Sequence, residues 1–277
     1  MRITRLSQGV DESRTLTAEA MERTFGVLSR YREVCDSLGV TTGLLVATSA
    51  VRDASNRSTF LSRAHDVVSF EAKVLSGDQE AAFSFAGATS DLDGSITPTM
   101  IVDVGGGSTE LALQVEGELQ SYSMQLGCVR VSERALGPGV VTPQGDQAAR
   151  LMIDAELDRA FAAVPDFDLV MGHVRLIGLA GTVATLAQLD AGLTVYDRAV
   201  VHHRILTREV VQDWRDRLAR ETPEERLTHP GMVVGREDVL TAGLYVLDAV
   251  MGRLGVNELL SSESDILDGI VSSLIRP

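Results

Sequence analysis

One stretch, Thr99 to Leu113, limits what this 277-residue chain can become. Met100 to Val104 is a short apolar run rich in β-branched residues and preceded by Pro98, which predicts a buried strand. The run ends at Gly105, Gly106 and Gly107. These residues carry no Cβ, so successive backbone N–H groups can turn inward and an anion can approach them without collision. Ser108 adds a hydroxyl donor. Thr109 to Gln114 then alternates as a second strand, and Glu116-Gly117 predicts a tight turn into a third, Glu118 to Met124. The expected unit is a strand, a phosphate-sized loop and a returning strand, with Asp103 just before the loop and Glu110 just after it.

This geometry differs from the two better-known glycine loops. A Walker loop needs a Lys after its glycines and a Rossmann loop opens a helix, whereas here a strand follows and no Lys does. A strand-loop-strand with an acid at its base is the device of actin-like phosphotransfer folds, in which carboxylates hold Mg²⁺ and backbone holds phosphate. The competing account is a glycine-rich β-turn with no ligand. The placement of Asp103, Ser108 and Glu110 around the loop favours phosphate.

The length suits two domains, each with its own core. Gly87 to Pro98, polar and turn-rich with Asp91, Asp93 and Gly94, is the expected linker, so the domains are expected at 1–97 and 98–277. The final helix, 264–277, is free to pack back on the first domain. Formal net charge is −14, with 25 Lys+Arg against 39 Asp+Glu. Residues 1–98 carry 10 basic and 13 acidic groups, and residues 99–277 carry 15 and 26. A broad basic face for nucleic acid is therefore not expected. An anionic substrate would need local neutralisation by Mg²⁺ and a few arginines. Cys35 and Cys128 are too few for a disulfide framework, which suits a reducing cytoplasm. No run of 18 apolar residues occurs, so no membrane span is expected.

Along the chain, Arg2 to Leu6 alternates as a strand should. Thr17 is the expected N-cap of a helix whose apolar face is Met21, Phe25, Leu28, Cys35 and Leu38. Leu44 to Ala47 reads as a strand with Arg52 in the loop at its carboxyl end, where α/β folds place ligands. Asn56 or Ser55 is the expected cap of the next helix. Val67 to Leu75 supplies another strand, and Ser76-Gly77 opens a helix that carries Asp78 and Glu80 in its first turn. Acids there complement the helix dipole, and Glu80 can also project over the strand ends. Gly127 before a helical start puts free N–H groups and Arg130 near whatever the hairpin holds. Ala180-Gly-Thr182 is either a second anion cradle or a plain βα turn. Val200 to Leu206 reads as a strand whose adjacent His202 and His203 point to opposite faces, which argues against a shared metal.

Taken together, Ala47-Thr-Ser-Ala-Val-Arg-Asp-Ala-Ser-Asn56, Val74-Leu-Ser-Gly-Asp-Gln-Glu-Ala81, Asp103-Val-Gly-Gly-Gly-Ser-Thr-Glu110, Leu126-Gly-Cys-Val-Arg-Val-Ser-Glu133 and Ala180-Gly-Thr182 resemble the exopolyphosphatase/guanosine pentaphosphate phosphohydrolase family. The resemblance runs over the whole chain and looks like the short, actinobacterial two-domain form. It implies an α/β fold of the actin-like ASKHA (ribonuclease H-like) kind, with two domains around a cleft. It also implies a cytoplasmic, often homodimeric enzyme that removes terminal phosphate from inorganic polyphosphate or pppGpp with Mg²⁺. Carried over by motif, Glu80 would be the base for the attacking water and Arg52 the clamp on the terminal phosphoryl oxygens. Asp103 and Glu110 would hold Mg²⁺, and Gly105, Gly106, Gly107, Ser108 and Arg130 would bind phosphate. The family's opening Asp-x-Gly-Ser/Thr-Asn-Ser hairpin is not found in this sequence, so the first domain is expected to be N-terminally incomplete, through a start codon assigned too late, the favoured account, or through a real truncation. A non-catalytic polyphosphate- or nucleotide-binding regulator is the alternative that this difference keeps open.

Overall fold

The computed structural model describes residues 2–92 and 98–275, and they form two compact units, residues 1–77 and 78–277. Asp93 and Gly94 of the expected linker lie outside the described residues.

In the first unit, helix α1 (Ala18–Ser37) starts where the Thr17 hydroxyl accepts the Ala20 N–H at 3.2 Å. Met21, Phe25 and Leu28 are buried and Phe25 stacks on Phe60 at 5.4 Å, but Leu38 is 73% exposed, so the apolar face ends before the last turn. Strand β1 (Leu44–Ala47) pairs in parallel with β2 (Glu71–Val74), and helix α2 (Arg57–Val68) connects them. One expectation fails here: Arg2 to Leu6 forms no strand. Asn56 occupies the N-cap position of α2 as expected, but its amide clasps the Leu16 backbone rather than the helix, accepting from N–H at 3.0 Å and donating to the carbonyl at 2.9 Å.

The second unit, from Asp78, takes in α3 (Gly77–Ala88) from its second residue onward. Its six-stranded sheet has the order β5-β4-β3-β6-β8-β7, built from β3 (Thr99–Val104), β4 (Thr109–Val115), β5 (Glu118–Met124), β6 (Arg175–Leu179), β7 (Ile205–Thr207) and β8 (Glu258–Ser261). Strands β3, β4 and β5 are the expected antiparallel meander, while β6 and β8 run parallel to β3. Positive φ at Glu116 (51°) and Gly117 (89°) gives the tight turn that matches strand twist.

Because side chains alternate along a strand, the two faces of the sheet carry different chemistry. Met100, Val102, Val104, Leu111 and Leu113 enter a large core with helices α4 (Pro143–Ala163), α5 (Ala180–Asp190), α6 (Arg208–Ala219) and α7 (Leu240–Leu254). On the opposite face Ile101, Ala112, Ile177 and Leu179 pack against Ala81, Phe85 and Ala88 of α3. Asp103 and Glu110 share that second face by parity. Final helix α8 (Ile266–Ile275) closes on α3 at two glycines. A Cβ on Gly87 would lie 1.9 Å from the Asp265 carbonyl oxygen, and one on Gly269 would lie 2.0 Å from that of Phe83. Helix α3 is thus held between sheet and α8 with no room for sliding.

Arg226 is 1% exposed and donates to the carbonyls of Leu218 (2.9 Å), Glu237 (2.8 Å), Gly139 (2.7 Å) and Pro138 (3.4 Å), which ties the last turn of α6 to two loops with one buried cation. His202 and His203 are not on a strand. They follow a helical turn (Arg198–Val201), His203 adopts φ 61°, and their rings stack at 3.8 Å beside Asp91. The alternation argument that sent them to opposite faces does not apply.

Candidate active site

Asp103 and Glu110 are directly opposed residues of the β3–β4 ladder, 9% and 1% exposed. Two acids facing each other across a ladder repel, and burial adds the cost of desolvation. Burial is the main reason both carboxyls hold their protons tightly. Asp103 is pushed up to about 6, with Asp265 adding repulsion and the Ser84 hydroxyl opposing. Glu110 is pushed up to about 8, with Glu80 and Asp103 adding to burial. Hydroxyls, not cations, support the pair. Ser84 donates to Asp103 Oδ2 at 2.8 Å and Ser123 donates to Glu110 Oε1 at 2.7 Å, with Ser108 also bonded to Glu110.

Among the described residues no arginine, lysine or histidine pairs with Asp103 or Glu110. A buried, oxygen-only pair with no positive partner fits a hard divalent cation such as Mg²⁺, Mn²⁺ or Ca²⁺. A stability test follows from the raised proton affinities. An acid whose folded value lies above its unfolded one loses stability as pH rises from about 4 through the folded value. The metal-free protein is therefore expected to lose stability from about pH 4 through about 6 (Asp103) to about 8 (Glu110), and millimolar divalent cation should flatten the loss. Thermal midpoints across pH with chelator and with cation decide it; identical profiles would remove the cation from this pair.

The glycine loop beside the acids is oriented from behind. Its carbonyls are committed to the turn at Cys128–Val131: Gly105 O accepts from Cys128 N (2.9 Å), and Gly106 O from Val129 N (3.0 Å) and Arg130 N (3.3 Å). Gly107 O accepts from Arg130 Nε at 2.9 Å. No peptide here is cis. In a trans peptide the N–H points opposite to the C=O of the same unit. The N–H groups of Gly106, Gly107 and Ser108 therefore point away from that turn, as donors for an anion. Gly127 makes the approach possible, because a Cβ there would sit 2.4 Å from the Gly106 carbonyl oxygen.

Arg130, expected as a phosphate contact, also serves the loop itself. It is 6% exposed and bonded to the loop carbonyl, so it braces the nest from its rear. Glu80, in the first turn of α3, is 8% exposed and electrostatically coupled to Glu110. Arg52 lies in the first unit, on the helical turn Ser49–Asp53 after β1, and donates to the Leu75 carbonyl at 2.8 Å. Ser84, Ser123 and Asp265 escaped the sequence analysis, although Ser84 sits one helical turn after Glu80 and shares its face. At the second glycine turn Ala180 takes φ 64° and the Arg236 guanidinium rests on Gly181, where a Cβ would meet Nη2 at 1.7 Å. Side-chain chemistry, beyond a plain turn, therefore occupies the start of α5.

The chain is similar to several known proteins. The Ppx/GppA phosphatase family model matches residues 1–276. A protein of Mycobacterium tuberculosis named exopolyphosphatase 2 is 37% identical over 282 aligned positions, covering 99% of this chain and 87% of the relative. The crystal structure of an exopolyphosphatase-like protein superposes with TM-score 0.92 at 32% identity, covering 99% of this chain and 89% of that one. The Aquifex aeolicus Ppx/GppA structure gives 0.79 at 26% identity, covering 99% and 87%. The mixed α/β architecture is accordingly that of the actin-like ASKHA fold. With the family model spanning nearly every residue and the loop and acids in one site, the chain belongs to the Ppx/GppA phosphatase family.

Proposed function

We propose that this chain is an exopolyphosphatase that releases terminal phosphate from inorganic polyphosphate, with Mg²⁺ as its metal. The observation that carries the proposal is the pairing of three outward-facing loop N–H groups with two buried carboxyls on adjacent strands that no basic side chain among the described residues pairs with. An oxyanion next to hard-metal ligands is what phosphoryl transfer needs, since its catalysis is mostly positioning and charge neutralisation. When bound, Mg²⁺ would neutralise developing charge on the transferring phosphoryl group.

The chain's own residues do the rest. Asp103 and Glu110 hold the metal, oriented by Ser84, Ser123 and Ser108. The N–H groups of Gly106, Gly107 and Ser108 bind phosphoryl oxygens, and Arg130 keeps the loop in shape. Glu80 takes a proton from the attacking water, a role its carboxylate can serve from the start of α3, and Arg52 is assigned to the terminal phosphoryl oxygens.

Phosphate release from long-chain polyphosphate, compared with pppGpp, under Mg²⁺ tests the proposal. Faster release from pppGpp would make the chain a guanosine pentaphosphate phosphohydrolase. Binding of both without release would make it a non-catalytic regulator. Asp103→Asn should raise the Mg²⁺ concentration for half-maximal activity about tenfold or more, because one ligand loses its charge. An unaltered Mg²⁺ titration would remove Asp103 from the metal.

A further inference from the structure

Helix α3 carries two polar side chains on one face, Glu80 and, one turn later, Ser84. Ser84 is fully buried, among residues that otherwise form the apolar contact of α3 with the sheet. A serine within a helix commonly returns its hydroxyl proton to the carbonyl four residues back, here that of Glu80. Instead the single proton goes to Asp103 Oδ2 at 2.8 Å. Among the described residues nothing else donates to Asp103, so Oδ1 is left for another partner. Helix α3 cannot drift away from this contact, since Gly87 and Gly269 lock it against α8 at backbone distance.

We infer that Ser84 is a positioning residue: it fixes the Asp103 carboxylate so that Oδ1 faces the metal, and it sets the distance between the metal ligand on β3 and the proposed base on α3. The hydroxyl thereby ties Glu80 and Asp103, which lie on different elements, into one rigid constellation. Outer-shell hydrogen bonds of this kind orient metal ligands, and their loss typically costs 10- to 100-fold in metal affinity. The inference rests on the assignment of Asp103 to a divalent metal.

The test reads metal binding without turnover. Thermal midpoints of the full chain are titrated with Mg²⁺ for the wild type, Ser84→Ala, Ser84→Thr, Asp103→Asn and the Ser84→Ala/Asp103→Asn double variant. Ser84→Ala should raise the Mg²⁺ concentration for half-maximal stabilisation about tenfold. Ser84→Thr, which keeps the hydroxyl, should restore a wild-type value. In the Asp103→Asn background, Ser84→Ala should have no further effect, because the hydroxyl acts through that carboxylate. Circular dichroism of each variant establishes folding. Should Ser84→Thr fail to fold from the added methyl, the double-variant cycle still decides.

A wild type with no Mg²⁺-dependent midpoint would overturn the metal assignment itself. A wild type that responds and an Asp103→Asn variant that needs more Mg²⁺, beside a Ser84→Ala variant with an unmoved half-maximal Mg²⁺ concentration, would overturn the role of Ser84 alone. Equal losses from Ser84→Ala in the wild-type and Asp103→Asn backgrounds would likewise reduce Ser84 to packing.

Discussion

Glu80→Ala should lower polyphosphate hydrolysis by about 10²–10⁴-fold and leave polyphosphate binding nearly unchanged. The magnitude is that of removing a positioned general base. Binding is expected to survive because the donors proposed for substrate are the backbone N–H groups of Gly106, Gly107 and Ser108, oriented by carbonyl bonds that Glu80 does not make. Glu80→Gln separates charge from shape: it keeps the size of the side chain in a site only 8% exposed, yet cannot accept a proton. Both variants should fall together in kcat with KM held. Because Glu80 raises the proton affinity of Glu110, the Gln variant should also hold Mg²⁺ no more weakly than the wild type. A Glu80→Gln variant with near-normal turnover would take the base role away from this residue.

The hairpin was legible because its signals agree at every level. Residues 100 to 104 alternate between two faces, both of which are buried, and the short glycine loop, closed by the Gly105 N–H on the Ser108 carbonyl at 3.0 Å, fixes the register that sets Asp103 opposite Glu110. Elsewhere local pattern was true but insufficient. Arg2 to Leu6 alternates, yet alternation shows only that a segment could be half-buried; a strand needs a neighbour, and this one has none among the described residues. Val200 and Val201 favour extended backbone, but the Asp197 carboxylate accepts the Ala199 N–H and starts a helical turn there. His203 then takes a left-handed φ, with its N–H bonded to the Ser261 carbonyl. A tertiary partner decided both cases.

The site divides in the same way. Glycines and acids announce themselves, whereas Ser84 and Ser123 are ordinary residues made functional by the strands and helix that carry them to Asp103 and Glu110. Arg130 shows the converse. Its type and position suit a phosphate ligand, and its Nε bond to the carbonyl of Gly107 is a further contact that no sequence pattern reports. Helix α3 clusters with the second unit because it buries Ala81, Phe85 and Ala88 against the six-stranded sheet, a packing preference that the polar composition of residues 87–98 does not report.

Gly127→Ala should cost about 10²-fold or more in hydrolysis, and unlike Glu80→Ala it should do so by removing phosphate binding. The added methyl would lie 2.4 Å from the Gly106 carbonyl oxygen, 2.5 Å from its carbon and 2.7 Å from the Gly107 nitrogen. All three are backbone atoms, so no side chain can swing aside and the loop itself must move. Displacing it breaks the bonds from Cys128, Val129 and Arg130 that hold its carbonyls to the rear, and with them the outward direction of its N–H groups. A shift of about 1 Å in a positioning element is enough for a loss of that size. The β3–β4 ladder does not depend on this contact, so Asp103 and Glu110 should keep their metal. The expected signature is a Mg²⁺-dependent thermal shift like that of the wild type together with loss of polyphosphate binding. If Gly127→Ala binds polyphosphate as the wild type does, the backbone N–H groups of this loop are not the phosphate donors, and the anion must be held elsewhere.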